Sequence, residues 1–208
     1  LTVFNRKSVT IKGLSSLNKA INEIDSVSFD IFMTDDGSMD GTSEAVIQQF
    51  PDVKVIYGDG NLFWSGGMRK AWKTACDYYD YDFYLWFNDD ALLFENSLKN
   101  VFDFYFRLNK EQVIICGAFC DSKGQTSYGG LDRGMKWVEP NSSGNIYYMN
   151  GNLVLINKYV FHELGLIDEI YVHGLGDWDY GLRAIEKGIS LMLTKEYVGI
   201  TDRHDNLI

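Results

Sequence analysis

Apolar residues fall in short runs, and the spacing within the runs alternates between two periods. Leu1–Phe4 reads as extended chain, and Leu14, Leu17, Ile21 and Ile24 then recur at the three-to-four-residue interval of a helix face. Residues 28–34 read as a buried strand that ends in the polar turn Asp35-Asp36-Gly37-Ser38. A short helix is expected after Thr42, stopping before Pro51, and Val53–Tyr57 as the next strand. Gly66-Gly67 is expected to open a helix that carries Met68, Ala71, Trp72 and Ala75 on one side. Phe83–Phe87 is a strand that stops abruptly at Asn88-Asp89-Asp90. Ser97 suits a helix cap ahead of Leu98, Val101, Phe102, Tyr105 and Leu108, and Val113–Gly117 is a further strand.

The second half is less regular. Residues 121–149, rich in Gly, Ser and Asn, read as loops with short hairpins. Leu153–Ile156 is a strand, Lys158–Leu164 a short helix, and Trp178–Lys187 a helix ended by Gly188. Alternation of strand and helix predicts an α/β fold, with a mostly parallel central sheet and helices on both faces. We expect one domain over 1–208, with a regular half at 1–115 and a less regular half at 116–208. Ligands of such sheets bind at the carboxyl ends of strands, where two of the acidic clusters lie.

Composition narrows the partners. The net charge of -10 repels phosphate backbones, which excludes nucleic acid and a polybasic membrane anchor. Aromatic residues make up 15%, enough for a large core or a sugar-stacking surface. Cys76, Cys116 and Cys120 do not form a disulfide framework, which fits a reducing cytosolic setting. No run is long enough to cross a membrane, and Leu1-Thr2-Val3-Phe4 has no basic leader. That opening reads as a strand already under way, as in a chain trimmed at its N-terminus. The oligomeric state is not legible.

Three acidic constellations carry the candidate chemistry. Asp35-Asp36-Gly37-Ser38-Met39-Asp40-Gly41-Thr42 follows a strand and can accept hydrogen bonds from a base or ribose. A calcium loop is rejected, because its twelfth position, counted from Asp36, is Ile47 instead of a glutamate. A turn with a helix cap remains open on these residues alone. In Asn88-Asp89-Asp90 two adjacent carboxylates repel, and a divalent cation carrying diphosphate oxygens would compensate; an Asx turn is the alternative. In His173–Arg183, Asp179 and Arg183 suit an i,i+4 pair, whereas Asp177, beside glycines, is free to face a pocket as a general base. Phe63–Gly67 fits either phosphate-approaching amides at a helix start or packing. His162 reads as structural, and His204 as a metal ligand or a surface histidine.

Together these segments resemble the inverting family 2 glycosyltransferases of the GT-A fold, including rhamnosyltransferase-like members. The resemblance covers nearly the whole chain, in order. Thr2, Phe4, Asn5 and Arg6 look like the family's opening strand and turn, and Asp35-Asp36-Gly37-Ser38 with Asp40 like its nucleotide-contacting loop. Asn88-Asp89-Asp90 sits where the family carries its acidic metal motif, Met149–Asn152 looks like its acceptor-side strand, and Gly176-Asp177-Trp178-Asp179 with Arg183 like its catalytic segment. Two positions depart from the pattern: Asn88 is not a carboxylate, and Gly176 stands where a glutamate is usual.

The resemblance implies a donor site at Thr2, Phe4, Asn5, Arg6, Asp35, Asp36, Gly66, Gly67 and Asp89, with Asp89 on ribose or metal. It implies Mn²⁺ or Mg²⁺ at Asp90, completed by His204, and Asp177 as base. The donor would be a UDP- or dTDP-sugar and the acceptor a glycan or lipid-linked hydroxyl. The setting would be bacterial polysaccharide synthesis in the cytoplasm, at most peripheral at the inner membrane face. A sugar nucleotidyltransferase, a non-catalytic carbohydrate-binding protein and a catalytically dead relative are the competing readings.

Overall fold

The computed structural model describes residues 1–142 and 144–201. Its first half runs β1 (Thr2–Val3), α1 (Lys7–Asn22), β2 (Phe32–Asp35), α2 (Thr42–Gln49), β3 (Lys54–Tyr57), α3 (Phe63–Tyr78) and β4 (Phe83–Phe87). β5 (Leu92–Leu93), α4 (Ser97–Leu108), β6 (Val113–Cys120), β7 (Thr126–Tyr128) and β8 (Gly130–Leu131) follow. β9 (Tyr148–Met149), β10 (Leu153–Asn157), α5 (Lys158–Leu164), α6 (Gly176–Glu186) and β11 (Ser190–Ile200) complete it.

The strands alternate their side chains between two apolar layers, as a period of two requires. Phe87, Leu153, Leu155, Val113 and Ile115 face α1 and α4, where Leu14, Leu17, Leu98 and Phe102 meet them. Tyr84, Trp86, Val154, Ile156, Ile114 and Cys116 face the other way, onto Met68 and Trp72 of α3, Val160 of α5 and Tyr180 of α6. Cys116 and Cys120 are buried free thiols.

β1, β2 and β3 form a three-stranded parallel sheet, since each strand returns through a helix. β8 and β9 form a two-stranded antiparallel ladder, and the remaining, larger sheet is mixed. Its order is β4-β10-β6-β11-β5, with β7 added to β6. β10 runs antiparallel to both neighbours, and β11 parallel to β6. The edge strands β1 and β4 pair only with β2 and β10 respectively. A cavity of about 630 Å³ lies where the sheets meet, lined by Ile31 and Phe32 from one and Leu85 and Trp86 from the other, with Met68 and Ala71 above.

Several elements differ from the sequence expectation, β2 among them: it begins at Phe32, and residues 28–31 of the expected strand lie outside it. α3 opens at Phe63, three residues before Gly66, and β6 continues to Cys120. α4 is capped at Asn96 with no side-chain hydrogen bond, so Ser97 is its first residue instead of its cap. α6 starts at Gly176, which puts Asp177 and Trp178 inside its first turn. The eleven-residue β11 had no sequence expectation; bulges between Leu193 and Gly199 interrupt its alternation.

Candidate active site

The Asp35–Thr42 loop follows β2 and is built by its own hydrogen bonds. Asp35 accepts from the Ser38 amide at 2.8 Å and from the Ser43 hydroxyl. Asp36 reaches across to the segment before α3. Its Oδ1 accepts from Gly60 N, and its Oδ2 from Leu62 N and Phe63 N, each at 2.9 Å. A carboxylate at a helix start satisfies orphan amides and complements the dipole, so Asp36 caps α3. Asp40 accepts from the Thr42 hydroxyl and the Lys7 amide, which hold its carboxyl below the usual range. The turn-and-cap role left open for this loop is therefore realised. Asn5, in the left-handed region at φ 50°, ties β1 to it: its Oδ1 accepts from Met39 N at 2.7 Å, and its own amide donates to Ser38 Oγ at 2.8 Å.

The turn after β4 carries the second cluster. Asp89 is 2% exposed. Its Oδ1 lies 3.2 Å from Arg6 Nη1, and its Oδ2 accepts from the Thr10 hydroxyl at 2.7 Å. Burial raises its pKa, with Arg6 and Thr10 opposing. Asp90 is more open, at 18%, and its Oδ2 accepts from Arg6 Nη2 at 2.8 Å. One guanidinium thus spans both carboxylates. Asn88 turns away from them, and its Oδ1 accepts from Trp64 Nε1 at 2.8 Å. An indole N–H needs a neutral acceptor here, because a third carboxylate would add repulsion beside Asp89 and Asp90; that accounts for the Asn88 departure.

Asp177 sits in the first turn of α6. Its Oδ2 accepts from Gly151 N and its Oδ1 from Trp178 N, both at 2.9 Å. The side chain keeps partial solvent access. Burial nevertheless lifts its pKa to about 6, with the two amides pulling it back. The Asp177 and Asn88 segments share one scaffold. Trp64, hydrogen-bonded to Asn88, packs its ring against Gly151, the residue that donates to Asp177. Gly176 is also explained: a Cβ there would lie 2.6 Å from Ser65 Oγ and 3.0 Å from Ile167. Asp179 pairs with Arg183 Nε at 2.8 Å, and the same guanidinium donates to Leu164 O and Leu166 O, a clamp on the α5–α6 connection.

Against this geometry, the model of the family described as "Glycosyl transferase family 2" matches residues 1–163. The chain belongs to glycosyl transferase family 2. No curated protein matches this family 2 chain in sequence. Among solved structures it is similar to a mannosyltransferase from Pyrobaculum calidifontis, in complex with GDP-Man and Mn²⁺. The two share 14% identity at a TM-score of 0.73, over 99% of this chain and 56% of that one. A fragment of S. aureus TarS in complex with UDP-GlcNAc gives 14% identity and a TM-score of 0.72, over 99% of this chain and 58% of that one. At such identity the likeness shows the fold, which is GT-A. The chain spans little more than half of these relatives' length.

Several residues expected at the donor site of this family 2 chain have structural partners instead. Gly66 and Gly67 lie inside α3 and do not open it. Gly66 N donates to Leu62 O at 3.1 Å and to Val172 O at 3.2 Å. A Cβ at Gly67 would meet Thr2 Oγ1 at 2.0 Å, so that glycine seats α3 on β1, and Thr2 faces the helix. Asp89 is buried between Arg6 and the Thr10 hydroxyl of α1. Phe4 is half exposed, and Arg6 lies on the two carboxylates. His204 lies outside the described residues.

Sequence reasoning missed Thr10, and held Trp64 and Gly151 only as members of Phe63–Gly67 and Met149–Asn152, without the contacts they make. Gly58 and Gly60 were a usable signal for the role of Asp36, since a Cβ at Gly58 would meet its Oδ1 at 2.4 Å.

A divalent ion would be held by Asp90, the more exposed carboxylate. Among the described residues no three His, Cys, Asp or Glu side chains converge on an ion. Such a donor set fits an ion that keeps diphosphate oxygens and water in its shell.

Proposed function

We propose that this chain moves a sugar from a nucleotide-diphosphate sugar to an acceptor hydroxyl, with inversion at the anomeric carbon. One observation carries the reading. Asp177 is a lone carboxylate, fixed by two backbone amides and raised to about 6, in a family 2 chain. A general base needs a fixed position and a pKa just below working pH, so that it is charged yet basic. The amides from Gly151 and Trp178 fix its plane without quenching it.

Asp177 takes the proton as the acceptor oxygen bonds to the anomeric carbon, and the bond from that carbon to the diphosphate breaks. The nucleoside diphosphate leaves with the electron pair. A bound divalent ion at Asp90 would supply charge neutralisation for the leaving diphosphate. The Asp35–Asp40 loop shapes the nucleotide side, and residues 116–208 shape the acceptor side. A hexosyl or rhamnosyl donor, UDP- or dTDP-linked, and a glycan or lipid-linked acceptor are the substrates we assign. Polysaccharide synthesis at the cytoplasmic membrane face is the setting; no described helix is long and apolar enough to cross a membrane.

Calorimetry with UDP, dTDP and GDP, each with and without Mn²⁺, tests the donor site. We expect metal-dependent binding of one nucleotide, lost in Asp90→Ala. No binding of any nucleotide under either condition would favour a non-catalytic carbohydrate-binding protein.

A further inference from the structure

The two carboxylates after β4 already hold a cation that belongs to the protein. Arg6 Nη1 lies 3.2 Å from Asp89, and Nη2 2.8 Å from Asp90. The arginine is the N-terminal flank of α1, and its neighbour Asn5 is pinned to the Asp35–Asp40 loop by two hydrogen bonds. The fork is therefore aimed by the backbone. Its side chain is 38% exposed, so it can leave the carboxylates for solvent or for a ligand.

A divalent ion bound to Asp90 would confront this guanidinium at contact range. A double and a single positive charge repel strongly at a partly buried site, where water screens them poorly. The ion and the arginine therefore compete for Asp90. Diphosphate resolves the competition, because a planar guanidinium pairs bidentately with phosphate oxygens as well as with carboxylates.

We propose that Arg6 is a resident counter-cation that makes metal binding at Asp90 conditional on the arrival of the diphosphate. This rests on the reading of Asp90 as the holder of the donor's metal. Without diphosphate, Arg6 offsets one of the pair's two negative charges and metal binds weakly. With diphosphate, Arg6 transfers to the phosphates and Asp90 accepts the ion. Arg6 acts here as a positioning residue, through its choice of partner.

The test is Mn²⁺ alone, with no nucleotide, followed by the electron paramagnetic resonance of the free ion. Wild type is expected to bind weakly, and Arg6→Ala at least tenfold tighter. Adding Asp90→Asn to Arg6→Ala should remove the gain. Removing Arg6 leaves Asp89 charged and buried, so folding is checked by circular dichroism. The charge-balanced pair Arg6→Gln/Asp89→Asn gives a second route if Arg6→Ala does not fold. It too should bind Mn²⁺ tighter than wild type, although it has lost a carboxylate. Equal or weaker binding by the folded variants than by wild type overturns the role of Arg6 and leaves the Asp90 assignment standing. Loss of Mn²⁺ binding in every variant, with nucleotide binding intact and metal-independent in the calorimetry, overturns both.

Discussion

Asp36 and Asp177 both stand at the carboxyl-end rim of the fold, both beside a helix start, yet their surroundings separate them. Asp36 takes three backbone amides from a segment 24 to 27 residues downstream. Asp177 takes two, one of them from its own neighbour, and burial outweighs them. The three amides on Asp36 tie two segments of the chain together; the two on Asp177 fix a carboxyl whose burial raises its affinity for a proton. The difference lies in how many donors converge, which residue type alone does not reveal.

The strongest way to break this comparison is at the acting carboxylate. Asp177→Asn should lower transfer by about a thousandfold, within the range for loss of a general base. Nucleotide affinity measured by calorimetry should stay within about twofold. If transfer survives the substitution, the proton goes elsewhere and the base assignment is wrong.

At the building carboxylate the effect should fall on stability. Asp36→Ala strands three amides, and we expect a loss of about 3 kcal/mol in urea unfolding. The melting temperature should drop by about 6–12 °C at this chain length. Gly176→Glu sharpens the contrast further. It restores the family's usual residue, but its Cβ would press on Ser65 Oγ at 2.6 Å. A loss of about 2 kcal/mol is expected, with no gain in turnover.

The smallest expected effect carries the sign of the Asp177 shift. Its folded pKa, about 6, lies above the unfolded carboxylate value. The folded state therefore holds this proton more tightly. The stability from the protonated group is full below about pH 4 and is lost as pH rises through about 6. Asp177→Asn escapes that loss, so at pH 7.5 it should unfold about 1 kcal/mol later than wild type, and the gap should close at pH 4. The transfer rate of the wild type should rise along a limb centred near 6.

Much of the fold was legible because its signals are local. The periods of Leu14, Leu17 and Ile21, and the apolar run Phe83–Phe87 ending in acids, each report on their own segment. The site was legible only as residue types. Arg6 meets Asp90 across 84 positions and Trp64 meets Asn88 across 24, and no local pattern encodes such closures. Gly66-Gly67 left phosphate approach and packing equally open for the same reason: a glycine pair looks alike whether a phosphate or Thr2 lies against it. β11 escaped because Thr194-Lys195-Glu196 breaks its apolar alternation where the strand bulges.

The divided sheet has a mechanical consequence. No strand ladder joins β1 to β4 among the described residues, so the parallel three-stranded unit is held to the rest by side-chain packing through α3 and α1 and by the contacts of Arg6 and Thr10 with the turn after β4. Packing yields under shear and mild denaturant in a way that a continuous ladder does not. The amides of β2 and β3 should therefore exchange with solvent as one cooperative group, at lower free energy than those of β6 and β10. The seam between the two sheets, beside the Asp35–Asp40 loop, is then where the molecule should part first.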